Sequence, residues 1–149
     1  MNKNFLEDIL KKLKRRGADQ ADIIFSCFEH KSSSCRLGKL EKTESSKTSE
    51  IGIRVIVKKK QSIISSTNLE KKNIDYLIEK VLEMSKVVPK DEYCGLADET
   101  QIYKPNQSEI DSLELFDPYE PDIKYINEKV LSLEGSALSN SKISNSEGA

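Results

Sequence analysis

Residues 51–82 read IGIRVIVKKKQSIISSTNLEKKNIDYLIEKVL. Ile51, Ile53, Val55 and Val57 recur at period two, which places them on one face of a strand. Lys58, Lys59, Lys60 and Gln61 interrupt the apolar run as a polar hairpin tip. Beyond the returning strand, Ile74, Leu77, Ile78, Val81 and Leu82 fall at i, i+3, i+4, i+7 and i+8, an apolar stripe along one side of a helix that Pro89 ends. Thr67-Asn68-Leu69-Glu70 has the form of a capping box, so a helix is expected over 69–88 with the Thr67 hydroxyl and the Glu70 carboxylate satisfying its first backbone donors. A hairpin followed by a helix whose stripe must lie against a sheet is an α+β arrangement.

Working outward, Phe5, Leu6, Ile9, Leu10 and Leu13 keep helical spacing over 3–16, and Gly17 supplies the stop. The cluster Lys11, Lys12, Lys14, Arg15 and Arg16 sits where cations complement the helix dipole. From 21 to 67 the pattern is that of β-structure, with Ile24, Ser26 and Phe28 alternating with Ile23, Phe25 and Cys27 and a turn around Gly38; about four antiparallel strands fit this stretch. Residues 89–118 hold three prolines and many acids and read as a long loop. A further helix is expected over 119–138, with Ile123, Ile126, Val130, Leu133 and Ala137 facing inward, before a Ser/Asn-rich ending. The expected whole is one domain over 1–149, a sheet of about four strands packed on two or three helices.

The 149 residues are 36% hydrophobic and 33% charged with a net charge of −1, so no global field of either sign points to a partner. The balance is uneven along the chain: residues 1–60 carry 15 Lys/Arg against 8 Asp/Glu, and residues 61–149 carry 9 against 17. The basic half invites a nucleic-acid reading, but without a stacked-aromatic motif it is ordinary electrostatics, and no nucleic-acid partner is expected. No apolar run approaches the roughly 20 residues of a membrane-spanning helix. Glu7 and Asp8 precede the first basic cluster, and no apolar signal core follows, so the expected location is the cytoplasm. Cys27, Cys35 and Cys94 form no Cys-x-x-Cys pair and read as reduced, partly buried small hydrophobes.

Little in the residues points to catalysis. His30 is the one histidine, and strand alternation sets it on the opposite face from Cys27, so no catalytic or metal residue is assigned. Asp91, Glu92, Asp98 and Glu99 flank Tyr93-Cys94-Gly95-Leu96-Ala97 and are of a type that serves acid–base chemistry, though acids in such a loop are ordinarily solvated.

In order along the chain, Gly17-Ala18-Asp19-Gln20-Ala21-Asp22, Leu40-Glu41, Ile51-Gly52-Ile53-Arg54-Val55, Ser65-Ser66-Thr67-Asn68-Leu69, Tyr93-Cys94-Gly95-Leu96-Ala97-Asp98 and Asn145-Ser146-Glu147-Gly148-Ala149 together resemble the N-terminal domain of the TldD/PmbA proteins, most closely the PmbA (TldE) branch. The resemblance implies a subunit of a cytoplasmic bacterial heterodimer with TldD. The pair is a zinc-dependent peptidase acting on unfolded peptides, including microcin precursors and antitoxins. It places the zinc and its His-Glu-x-x-x-His helix in the TldD-type partner, leaving this chain without cofactor and inactive alone. The matching positions, of structural or interface character, are Gly17, Ala18, Asp19, Glu41, Gly52, Arg54, Ser66, Thr67, Gly95, Leu96, Asp98, Ser146, Glu147 and Gly148. Two departures accompany the matches. The family's turn glycines are replaced by Lys58-Lys59-Lys60-Gln61-Ser62, and the family continues into a C-terminal domain where this chain stops, as expected of an N-terminal fragment or a gene remnant. The alternative is a non-catalytic module for peptide or protein interaction.

Overall fold

A computed structural model describes residues 3–148. The elements in order are α1 (Lys3–Arg15), β1 (Gln20–Arg36), β2 (Lys39–Val57), β3 (Lys60–Ser66), α2 (Lys71–Val87), α3 (Gln107–Ser112), α4 (Ile123–Leu138) and β4 (Glu147–Gly148). The strands form one antiparallel sheet in the order β3-β2-β1-β4. The stretch 21–67 thus holds three strands rather than four, because β1 and β2 run uninterrupted for 17 and 19 residues on either side of the turn at Gly38. The fourth strand is β4. The chain divides into two compact units, and β1 and β2 each pass from one to the other.

The first unit runs up to Cys27 and takes in Thr48–Tyr103. β2 and β3 pair from Ile51↔Ser66 to Val57↔Lys60, so Ile51, Ile53 and Val55 share a face. Ile74, Leu77, Ile78 and Val81 of α2 close over that face with Ile9 and Leu13 of α1, all nearly inaccessible to solvent. Each such side chain contributes about 1.5–3 kcal/mol on burial. Lys12 Nζ lies 2.7 Å from Asp75 Oδ1, joining α1 to α2 and holding that carboxyl below its usual range.

Two helix ends explain local sequence. Gly17, at φ +102°, closes α1: its N–H donates to the Lys14 carbonyl and the Ala18 N–H to that of Leu13, while Leu13 and Ala18 both enter the core. This is the Schellman arrangement, and it needs the left-handed residue that glycine adopts freely. α2 begins differently from the expected capping box. Its N-cap, Glu70, makes no side-chain cap bond. Instead, Ser66 Oγ accepts from the Asn68 N–H and Asn73 Nδ2, and Asn68 Oδ1 accepts from the Glu70 N–H. Asn side chains serve such turns as readily as Thr does.

The second unit comprises Phe28–Lys47 and the chain from Lys104 onward. Asp122 caps α4, its Oδ1 accepting from the Tyr125 N–H, so this helix opens at Ile123 rather than 119. Val130 is buried as expected, but Leu133 is 63% exposed and Glu134 only 1%. The inward face therefore runs through Val130 and Glu134, spaced at i and i+4. β4 pairs Cys35↔Gly148 and Arg36↔Glu147. The long connection expected over 89–118 contains a 3-10 turn at Glu99–Gln101 and the short α3. Ala149 of the closing motif lies outside the described residues.

Candidate functional site

In the first unit, four segments meet at the β2–β3 turn. Lys58 and Lys59 have φ +50° and +62°, the left-handed pair of a two-residue type I′ hairpin, in a region costly for side chains other than Gly, Asn or Asp. The turn is braced from outside itself. Asp19 Oδ2 accepts from the Lys58 N–H at 2.6 Å, the Lys59 carbonyl accepts from the Asp91 N–H at 2.8 Å, and Lys59 Nζ donates to the Cys94 carbonyl. Asp19 also donates its own N–H to the Ile56 carbonyl, and Gln20 Oε1 accepts from the Leu96 N–H. Gly17, Ala18, Asp19, Gly95 and Leu96, far apart in sequence, thus belong to one braced end of the sheet.

The sheet face turned away from α1 and α2 carries Gly52 and Arg54. The Arg54 guanidinium grips Asp22 through two parallel bonds, Nε to Oδ1 at 2.8 Å and Nη2 to Oδ2, and this contact raises its already high pKa. With Ile24 and Ile63 the pair lines a shallow depression of about 240 Å³. Gly52 also lines it, and a Cβ there would make one ordinary contact, with the Ile24 carbonyl at 3.9 Å. The ion pair neutralises itself and the walls are aliphatic, so the depression suits an apolar side chain and offers no reactive group.

In the second unit, Glu134 reaches the β1–β2 turn, where Leu37 and Gly38 have φ +50° and +74°. Its two oxygens accept from the Leu37 and Gly38 N–H groups at 2.6 and 2.7 Å. The Gly38 N–H is the main influence holding this carboxyl below its usual pKa, against the opposing effect of burial. Cys35 beside it is fully buried and donates to the Val130 carbonyl. Burial, and then the Glu134 charge, push its thiol pKa up, the reverse of what a nucleophile needs. Gly148 lies against this thiol: a Cβ would stand 3.0 Å from Cys35 Sγ and 3.2 Å from Val130 Cγ2. Glu147 faces Arg36 at 3.8 Å.

The remaining candidates are scattered. Ser66 takes part in the start of α2, while Thr67 and Glu41 are exposed. The Asp98 N–H donates to Gln101 Oε1, Asp91 Oδ1 accepts from the Tyr93 N–H and Glu92 pairs with Lys90. These exposed acids are occupied in local turns rather than aimed at a common point. Cys27 is exposed, not partly buried as expected; Cys94 is buried, and all three cysteines are free. Among the described residues no group of three or more His, Cys, Asp or Glu is placed to hold a metal, and no helix is long and apolar enough to cross a membrane.

Residues 21–85 match the family model described as PmbA/TldA metallopeptidase domain 1. This stretch is similar to the first domain of the PmbA/TldD family. The matched span contains Glu41, Gly52, Arg54, Ser66 and Thr67, and so takes in the self-neutralised sheet face and the beginning of α2. Solved structures share the fold more widely. A protein from Bacteroides thetaiotaomicron assigned as a candidate modulator of DNA gyrase superposes with a TM-score of 0.78 at 20% identity, covering 93% of this chain and 31% of its own. TldE from Thermococcus kodakarensis gives 0.68 at 18% identity, covering 91% and 29%. A second candidate gyrase modulator, from Thermotoga maritima, gives 0.58 at 17%, covering 95% and 30%. The chain therefore spans about three-tenths of the length of these structures. No curated protein matches it.

Residues that composition and spacing did not single out are Glu134, Gln20 and the pair Asn68 and Asn73. Glu134 had one signal: an acid at i+4 from Val130 on an otherwise apolar helix face.

Proposed function

We propose that this chain is the N-terminal domain of a PmbA/TldE-like subunit, a non-catalytic part of a TldD/TldE-type metallopeptidase. The observation that carries the reading is the family match over residues 21–85. The most buried thiol, Cys35, has its pKa raised, the reverse of what a nucleophile needs. On this reading zinc belongs to a TldD-type partner, unfolded peptides are the substrates, the cytoplasm is the location, and this chain supplies wall and docking surface.

The test is purification from the source cell with an antibody against this chain, followed by mass analysis of every co-purifying protein. A partner carrying His-Glu-x-x-x-His, with chelator-sensitive cleavage of an unstructured peptide confined to the mixture, is the expected result. Cleavage by the isolated chain, blocked by chelator and with host proteases excluded, would overturn it. A stand-alone interaction module is the second reading, and the observation favouring it is that β3 forms an edge of the sheet, where an extended peptide could add a strand. Recovery of the chain alone in the same experiment would favour this second reading.

A further inference from the structure

We propose that the segment Ile110–Tyr119 of the second unit is a docking surface for a partner whose contacting face is aliphatic and rimmed by lysine or arginine. The inference is independent of the peptidase reading. Leu113, Leu115, Phe116 and Tyr119 are 62%, 80%, 79% and 57% exposed, a density of exposed large apolar side chains that soluble proteins ordinarily reserve for interaction. The exposure is built in. α3 ends with the Leu113 N–H donating to the Ile110 carbonyl and the Glu114 N–H to that of Asp111, and Glu114 takes φ +46°. A left-handed residue at this point turns the chain sharply. Ile110, Leu115 and Phe116 then line a cleft of about 220 Å³ with Asp111 and Glu114.

Charge selects the occupant. Between Pro105 and Ile123 the chain carries Glu109, Asp111, Glu114, Asp117, Glu120 and Asp122 and no lysine or arginine. A second copy meeting this surface about a twofold axis would set carboxylates against carboxylates, and such like-charge contact disfavours the pairing. A basic rim around an aliphatic face satisfies both features at once.

The probe is a labelled amphipathic helical peptide of leucine and lysine only, titrated into the full chain and followed by fluorescence anisotropy. Saturable one-to-one binding is expected, absent for the same peptide with glutamate in place of lysine. Leu115→Ser with Phe116→Ser leaves the charge unchanged and is expected to weaken binding at least about tenfold. Both side chains face solvent, so an unchanged melting temperature verifies the fold of that variant. Glu114→Gln with Asp117→Asn is expected to weaken binding several-fold and to flatten its dependence on salt. Equal binding by the wild type and the double serine variant would overturn the proposal. So would a wild-type chain that sediments as a dimer and reverts to the 16.9 kDa monomer in that variant, since the occupant would then be a second copy.

Discussion

The turns at Leu37–Gly38 and Lys58–Lys59 have the same backbone shape and are reached by different means. Both are two-residue hairpins with positive φ at each central position, and in both a carboxylate from outside the hairpin accepts from a turn N–H. At Gly38 the second residue is intrinsically suited to the conformation, and the carboxylate, Glu134, is buried. At Lys58–Lys59 neither residue is suited to it, the carboxylate of Asp19 is exposed, and further bonds to Asp91 and Cys94 are added. Turn chemistry can therefore be supplied locally by glycine or from a distance by hydrogen-bond acceptors, and only the first is visible in a sequence pattern.

The contrast extends to the units that hold these turns. The first has a contiguous aliphatic core, whereas the buried residues of the second include Cys35, Val130, Ser33 and Glu134. Ile78→Ala should cost about 2–5 kcal/mol in denaturant unfolding, from lost transfer energy and the cavity left behind. Val130→Ala removes less hydrocarbon and should cost about 1.5 kcal/mol at roughly 0.8 kcal/mol per CH2 group. Equal losses would break the distinction between the two interiors. Gly148→Ala tests the polar interior by overfilling it. The new Cβ meets Cys35 Sγ and Val130, so a loss of about 1–3 kcal/mol is expected, with faster reaction of Cys35 toward a thiol reagent as β4 loosens.

Acid probes the carboxylate at the Leu37–Gly38 turn. Glu134 is held below its usual value of 4.5 in the folded chain, so at acid pH the unfolded chain binds its proton first. Its contribution to stability is complete above about pH 4.5 and is lost as pH falls through the folded value below that. Glu134→Gln should melt lower than wild type at neutral pH, and the gap should narrow toward pH 3. A gap that stays constant with pH would mean that the amide replaces the carboxylate only sterically.

Periodicity made the first unit legible, because Ile51–Val55 and Ile74–Val81 each bury one face and leave the other wet. It failed where no face is covered. Residues 39–48 of β2 are all exposed, so the alternation that marks a strand disappears although the backbone ladder continues. The buried Glu134 went unread for a related reason: an apolar-pattern reading assigns Leu133 inward and cannot know that a turn 96 residues earlier in the chain presents the Gly38 N–H to be satisfied. Of the family-motif positions, the close approach at Gly148 and the brace at Asp19 acquire a physical cause only from the packed structure. Glu41 and Thr67 have none in this chain.

The smallest effect bears most directly on the two turns. Lys58→Asn places a residue that tolerates the left-handed region at the first turn position and leaves its N–H free to reach Asp19; a gain of roughly 0.5 kcal/mol is expected in thermal unfolding. Asp19→Ala should be destabilising in wild type, because it removes the acceptor that holds two poorly suited lysines in place. If that acceptor compensates for the turn residues, Asp19→Ala should cost less in the Lys58→Asn background, where the turn is already favoured, and a double-mutant cycle will show coupling between the two sites. Strict additivity would mean that the Asp19 carboxylate stabilises the chain equally whichever residue occupies the turn, so that its bond to the Lys58 N–H does not compensate for turn strain.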